Sequence, residues 1–198
     1  SGDTPGSRKT FIYNTFEKLM KAISKSLKKN DPNHLNLGIR YGYIEQLDDE
    51  LLRISKESFD ALSFNCYALS PDHEKMNHAL EISGLPMIIG EYHFGTVDRG
   101  LAQSLWQVNS QKERGDAFRY YTENAFAHRG LIGTGWFRWI DQNINGRTDG
   151  ENYNCGFIDV TDTPYPYMVD AAIETAKSLY EIHSGTKTPF HQAPNAVG

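Results

Sequence analysis

Cysteine is scarce in this chain, with only Cys66 and Cys155. Both fall in or beside stretches that read as strands, so they are expected as separate buried thiols and not as a disulfide framework. No apolar run approaches the ~20 residues that cross a bilayer, and no signal-peptide core is visible. Positive charge is in deficit as well: 20 Lys and Arg against 25 Asp and Glu give a net charge of -5 and a pI near 5.8. Such a surface offers no electrostatic footprint for nucleic acid or an anionic membrane, and neither is expected as a partner. Several reactive signatures are also missing: there is no GxSxG elbow, no Walker loop, no HExxH and no CxxC pair. No cofactor is expected from this pattern.

What is present is ordinary globular composition, 39% hydrophobic and 12% aromatic over 198 residues, enough for one core. Ile12, Phe16, Leu19, Met20, Ile23 and Leu27 recur at three and four, which predicts an amphipathic helix over Arg8 to Lys29, stopped by Asn30-Asp31-Pro32. Strands are expected at about Leu35 to Arg40, at Ala61 to Tyr67, at Pro86 to Tyr92 and at Leu131 to Ile140. Helices are expected at Asp48 to Lys56, Glu74 to Ile82, Gln111 to Ala127 and from near Pro164 to Ile182. The opening SGDTPGS reads as a flexible or cut end, and residues 185–198 as a loosely attached tail after a body spanning 1–184.

The resulting order, αβαβαβαβα with near-continuously apolar strands, describes a parallel sheet buried on both faces by helices. Doubly wound sheets and TIM barrels both satisfy it. The stretch after Tyr41 lacks the glycine-rich phosphate loop of a doubly wound nucleotide binder. Polar and aromatic groups instead end every strand: Arg40, then Asn65 and Tyr67, then Glu91 and His93, then Arg138, Trp139 and Asp141. Catalytic groups of TIM barrels collect at such ends. Glu91 stands out because it follows Met87, Ile88, Ile89 and Gly90, so a buried strand carries a carboxylate to its open end. Trp136 and Trp139 are suited to stack on sugar rings, although most tryptophans are core, and their spacing puts them on opposite faces unless a bulge intervenes.

The segment DQNINGRTDGEN, Asp141 to Asn152, has the oxygen donors and the glycine of a calcium loop in its first six places. Its twelfth place is Asn152 where a bidentate Glu is needed, and it follows a strand where an EF-hand loop leaves a helix. It is read as the exit loop of a strand, with no metal assigned.

FDALSFNCY, GLPMIIGEYHFGTVDRG and GTGWFRWIDQNINGRTDGENYNCGFIDVTDTPYPYMVDAA together resemble the C-terminal half of barrel glycoside hydrolases of the β-agarase and β-galactosidase-like kind. The likeness runs from about Leu35 to Tyr180 and is strongest from Pro86 to Asp170. The resemblance implies an α/β fold, a partial (β/α)8 TIM barrel comprising strands 5 to 8 with their helices. It implies a retaining hydrolase of β-linked galactan with Glu91 as nucleophile and Tyr67 steadying it. Arg40 would hold the nucleophile's charge, and Asn65, His93, Trp136, Trp139 and Glu151 would be sugar contacts. Families of this kind act outside the cytoplasm, which favours an extracellular or periplasmic site.

In that family the acid/base Glu follows an Asn, yet no Asn-Glu dipeptide occurs here. Half a barrel also leaves open edges and uncovered apolar surface. A partner is therefore expected, either an N-terminal half or a second copy, and the chain alone should associate or be unstable. The competing reading is a half-barrel that binds polysaccharide without cutting it.

Overall fold

A computed structural model describes residues 2–198. Helices and strands alternate as α1 (Pro5–Asn30), β1 (Arg40–Tyr41), α2 (Asp49–Ser58), β2 (Leu62–Asn65), α3 (His73–Ser83), β3 (Met87–Tyr92), α4 (Gln111–Phe126), β4 (Leu131–Trp136) and α5 (Pro166–His183). Local chemistry explains most of the boundaries. Thr4 and Ser7 cap α1 reciprocally, each side chain accepting the other's backbone N–H at 2.8 and 3.1 Å, with Pro5 in the first turn. The opening residues expected to be flexible are thus a helix start from Thr4 onward. Asp48, Asp72 and Ser110 cap α2, α3 and α4, and Gly84 ends α3 in the left-handed region.

The first strand is shorter than its sequence pattern predicts. Gly38 takes φ +72°, and the Phe59 ring fills the space a side chain would need, 2.5 Å from an ideal Cβ. The chain from Leu35 to Ile39 is held by side chains in place of a ladder: Asn36 N–H donates to Asp60 at 2.7 Å and Asn36 Nδ2 to the Ser58 carbonyl at 3.0 Å.

All strand pairs are parallel and the spatial order is β1-β2-β3-β4. A doubly wound sheet reverses direction part-way, and this one does not. Right-handed crossovers repeated in one direction place successive helices on one face. Helix α1 packs on α2, α2 on α3, and α4 on α5. The strands follow that one-sided cover. Leu62, Phe64, Met87, Ile89 and Leu131 are 0% exposed beneath the helices, each such burial contributing about 1.5–3 kcal/mol. Ser63, Asn65 and Ile88 alternate with them and are only partly covered. The expectation of strands buried on both faces is therefore corrected: among the described residues the second face is only partly covered. Helix α1 repeats the theme, with Met20 and Ser24 buried while Ile12, Leu19, Ile23 and Leu27 form an exposed apolar stripe.

The tail is not loose. The Phe190 N–H donates to Glu123 at 2.8 Å, Asn124 Nδ2 donates to the Phe190 carbonyl at 3.1 Å, and Arg119 lies over the Phe190 ring at 4.6 Å. Farther on, Val197 and Gln107 exchange backbone hydrogen bonds of 2.8 and 2.9 Å. The polar, proline-bearing composition of 185–198 hid these pairings, which depend on partners some 65 to 90 positions away.

Where α4 meets α5, an ideal Cβ on Gly115 would stand 2.5 Å from the Tyr167 carbonyl oxygen. Alanine is normally better than glycine inside a helix by about 1 kcal/mol, but here it would force the helices apart. Gly115→Ala is expected to lower the unfolding free energy by about 1–2 kcal/mol, read as a lower urea midpoint. A rise would show that the helices do not meet this closely.

Candidate active site

The sheet's open face carries a carboxylate at its centre. Regular pairing of β2 with β3 sets Phe64 against Ile89, but the register then slips, so Asn65 pairs with Glu91 and Gly90 is skipped. The slip brings Asn65 Nδ2 to 3.2 Å from Glu91 Oε2. Tyr67, just past the end of β2, donates its hydroxyl to the same oxygen at 2.8 Å. Arg40 reaches across from β1, with Nη2 2.9 Å from Glu91 Oε1 and Nη1 donating to the Gly90 carbonyl at 3.2 Å. That path exists because residue 90 is glycine: an ideal Cβ there would be 2.2 Å from Arg40 Cδ.

Burial, and then the Glu91 carboxylate, push the Tyr67 phenol well above its ordinary range, with the Glu151 charge adding to the rise. The phenol therefore stays protonated and is the donor. Glu91 keeps 21% of its side chain exposed, so it is clamped from within yet open to a ligand. Asn65 Oδ1 is buried with no protein partner, an acceptor left free at the same spot.

Arg40, Asn65, Tyr67 and Glu91 thus converge. The other expected contacts are placed differently. His93 is 1% exposed. Its Nδ1 faces the Phe137 carbonyl at 3.1 Å and its Nε2 accepts the Leu105 N–H at 3.2 Å, so neither nitrogen is offered to a sugar. Trp136 is half-buried among Tyr92, Phe118 and Phe157 and donates Nε1 to the Cys155 carbonyl at 2.7 Å. Trp139 is the exposed one of the pair, 68% open and stacked on Phe157. Glu151 is engaged within its loop, accepting from Gln142 at 2.7 Å and paired with Arg147 at 3.2 Å.

The first acidic side chain of the calcium-like loop is taken up by residues that follow the loop. Asp141 is buried and its oxygens accept from Tyr165 at 2.6 Å, Asn154 at 2.7 Å and the Gly156 N–H at 2.7 Å, which leaves no coordination set at the loop's first position. The residues that hold this loop were not singled out by sequence. Arg114 is 0% exposed, donates to the Asn154 and Gly156 carbonyls at 2.9 and 2.8 Å, and lies over the Tyr165 ring at 4.4 Å. Burial pulls its guanidinium below its usual range, while the Asp141 charge opposes that shift. A signal for it did exist: Arg114 falls on the helical face of Ala117, Phe118, Tyr121 and Ala125, all of them buried.

No family model matches the chain. Over 183 residues, 89% of its length, the chain is 37% identical to beta-agarase A of Vibrio sp. (strain JT0107). Its homologues are β-agarases. Beta-agarase B of the same strain is 35% identical over 170 residues. A solved exo-β-agarase aligns with a TM-score of 0.83 at 32% identity, covering 91% of this chain and 24% of that one. The chain spans only 18% and 17% of the two curated agarases. A more distant likeness to xylanase 10B of Thermotoga maritima, with a TM-score of 0.50 at 14% identity over 82% of this chain and 53% of that one, concerns the fold alone.

Replacing Gly90 by Ala is expected to swing Arg40 off Glu91, opening their 2.9 Å contact beyond 4 Å in a crystal structure of the variant. Thermal stability should change little, because a half-exposed ion pair is worth only about 0–1 kcal/mol. An intact pair in the variant would show that Arg40 has another route.

Proposed function

We propose that this chain is half of the catalytic barrel of a retaining glycoside hydrolase that cuts β-linked galactan, with Glu91 as the nucleophile. The observation that carries the reading is the triple hold on Glu91 by Arg40, Tyr67 and Asn65 at the open end of a buried strand. The agarase relatives supply the substrate class. Four consecutive parallel strands with helices on one face correspond to half of an eight-stranded barrel, here strands 5 to 8.

In this mechanism a Glu91 oxygen attacks the anomeric carbon and the glycosidic bond breaks, giving a glycosyl ester on Glu91. A second carboxyl group about 5–5.5 Å away protonates the departing oxygen, then takes a proton from the water that releases the sugar with net retention. Arg40 occupies one position on Oε1, and a carboxylate oxygen has a further lone pair free for attack. Tyr67 and Asn65 fix the other oxygen, so the carboxylate need not reorient. The exposed Trp139 is the sugar contact this chain offers beside Glu91.

The second carboxyl group comes from outside the chain, in an N-terminal half or a second copy. The open sheet face, the free edges of β1 and β4 and the apolar stripe on α1 are the surfaces such a partner would cover. A non-catalytic sugar-binding half-barrel is the second reading, favoured by the absence of an Asn-Glu pair.

Glu91→Gln separates the two. In the assembled hydrolase it should abolish release of reducing sugar while oligosaccharide binding survives, and a preparation whose wild type shows no turnover supports the binder. Sedimentation tests the missing cover: the isolated chain at micromolar concentration should associate, and Leu19→Lys with Ile23→Lys should reduce association. A well-behaved wild-type monomer would count against a missing half.

A further inference from the structure

His93 is a buried titratable side chain for which the proposed chemistry has no direct use, yet it touches the group that does. A backbone carbonyl can only accept and a backbone N–H can only donate. The contacts with the Phe137 carbonyl and the Leu105 N–H therefore define one form of the ring, protonated on Nδ1 and bare on Nε2. The ring lies edge-on to Tyr67 at 5.0 Å between centroids, with Tyr153 against it at 5.8 Å. Tyr67 in turn gives its hydroxyl to Glu91.

The anchor on the Leu105 side is itself fixed. Gly95 and Trp106 share a 2.9 Å backbone bond, Val108 donates to the Gly95 carbonyl at 2.9 Å, and Gln107, between Trp106 and Val108, is paired with Val197. His93 thus ties the end of β3 to the 104–108 segment and to the exit of β4. An apolar residue of similar size would pack as well but would leave two backbone groups unpaired.

We infer that His93 is a positioning residue, its singly protonated ring forming the wall that keeps the Tyr67 hydroxyl on Glu91. The inference rests on the reading of Glu91 as the reacting carboxylate. The Tyr67 oxygen leaves Glu91 only if the whole side chain swings about its Cα–Cβ bond, and the imidazole stands beside the Tyr67 ring in the way of such a swing, locked by two backbone bonds of its own. Burial also draws the imidazole down to about 4, with Arg114 adding to the effect, so it is neutral at pH 7.

Fluorine NMR of the 198-residue chain carrying 3-fluorotyrosine at position 67 tests this without turnover. His93→Phe should move and broaden the Tyr67 resonance in the same direction as Glu91→Gln does. His93→Gln, which can offer an amide N–H to Phe137 and a carbonyl to Leu105, should keep it near the wild-type position and serves if the phenylalanine variant does not fold. A Tyr67 resonance indifferent to both His93 variants overturns the inference.

In the assembled hydrolase, His93→Phe should lower kcat roughly ten-fold with KM within about two-fold, and cost almost nothing further on a Tyr67→Phe background. An equal loss in both backgrounds means His93 acts elsewhere and overturns the inference. Should the wild-type assembly show no turnover, the hydrolase reading falls, and the fluorine comparison alone decides the positioning role.

Discussion

The site depends on a one-residue slip between two parallel strands. Had β2 continued in register past Phe64 and Ile89, Asn65 would have faced Gly90 and the Glu91 carboxylate would have stood without its amide neighbour. The slip sets Asn65 beside Glu91 and leaves Gly90 as the gap through which Arg40 passes. Three groups from two other strands then meet one carboxylate. A partly buried charge of this kind is stable only when its desolvation is offset by such partners.

A second polar network, behind the first, is of a different kind. Arg114, Asp141, Asn154 and Tyr165 are buried together and join α4 to the loop that leaves β4. Asn154 is its hub, accepting from Thr96 and Gln111 at 2.9 and 2.7 Å through its side chain and from Arg114 through its carbonyl. Low local dielectric strengthens these bonds and makes each unpaired atom costly, which suits a scaffold. The Glu91 cluster, by contrast, keeps a carboxylate that is partly open to solvent. The Arg114 network lies sealed inside the protein, whereas the Glu91 carboxylate keeps part of its surface open to a ligand.

Much of this could be read from local pattern. The helical spacing of apolar residues located α1, the other four helices fall where they were expected, and a buried strand ending in Glu91 pointed to the residue on which Arg40, Asn65 and Tyr67 converge. The misses share a cause, dependence on partners distant in sequence. His93 was expected among the sugar contacts by the family resemblance, but both its ring nitrogens are taken by Leu105 and Phe137, which arrive from two separate segments. Trp136 and Trp139 could not be sorted until Cys155 and Phe157 came into place. Leu35 to Arg40 read as a strand because the left-handed turn at Gly38 leaves no mark on hydrophobic periodicity.

The tail has a practical consequence. Gly198 ends against the indole of Trp106, where an ideal Cβ would come within 2.7 Å, and Val197 is already zipped to Gln107. An affinity tag or fluorescent fusion joined directly to Gly198 would begin its path in the wall of the loop that follows β3. A spacer alone would not free that junction, so a label meant to leave the Glu91 face undisturbed belongs on an exposed helix surface.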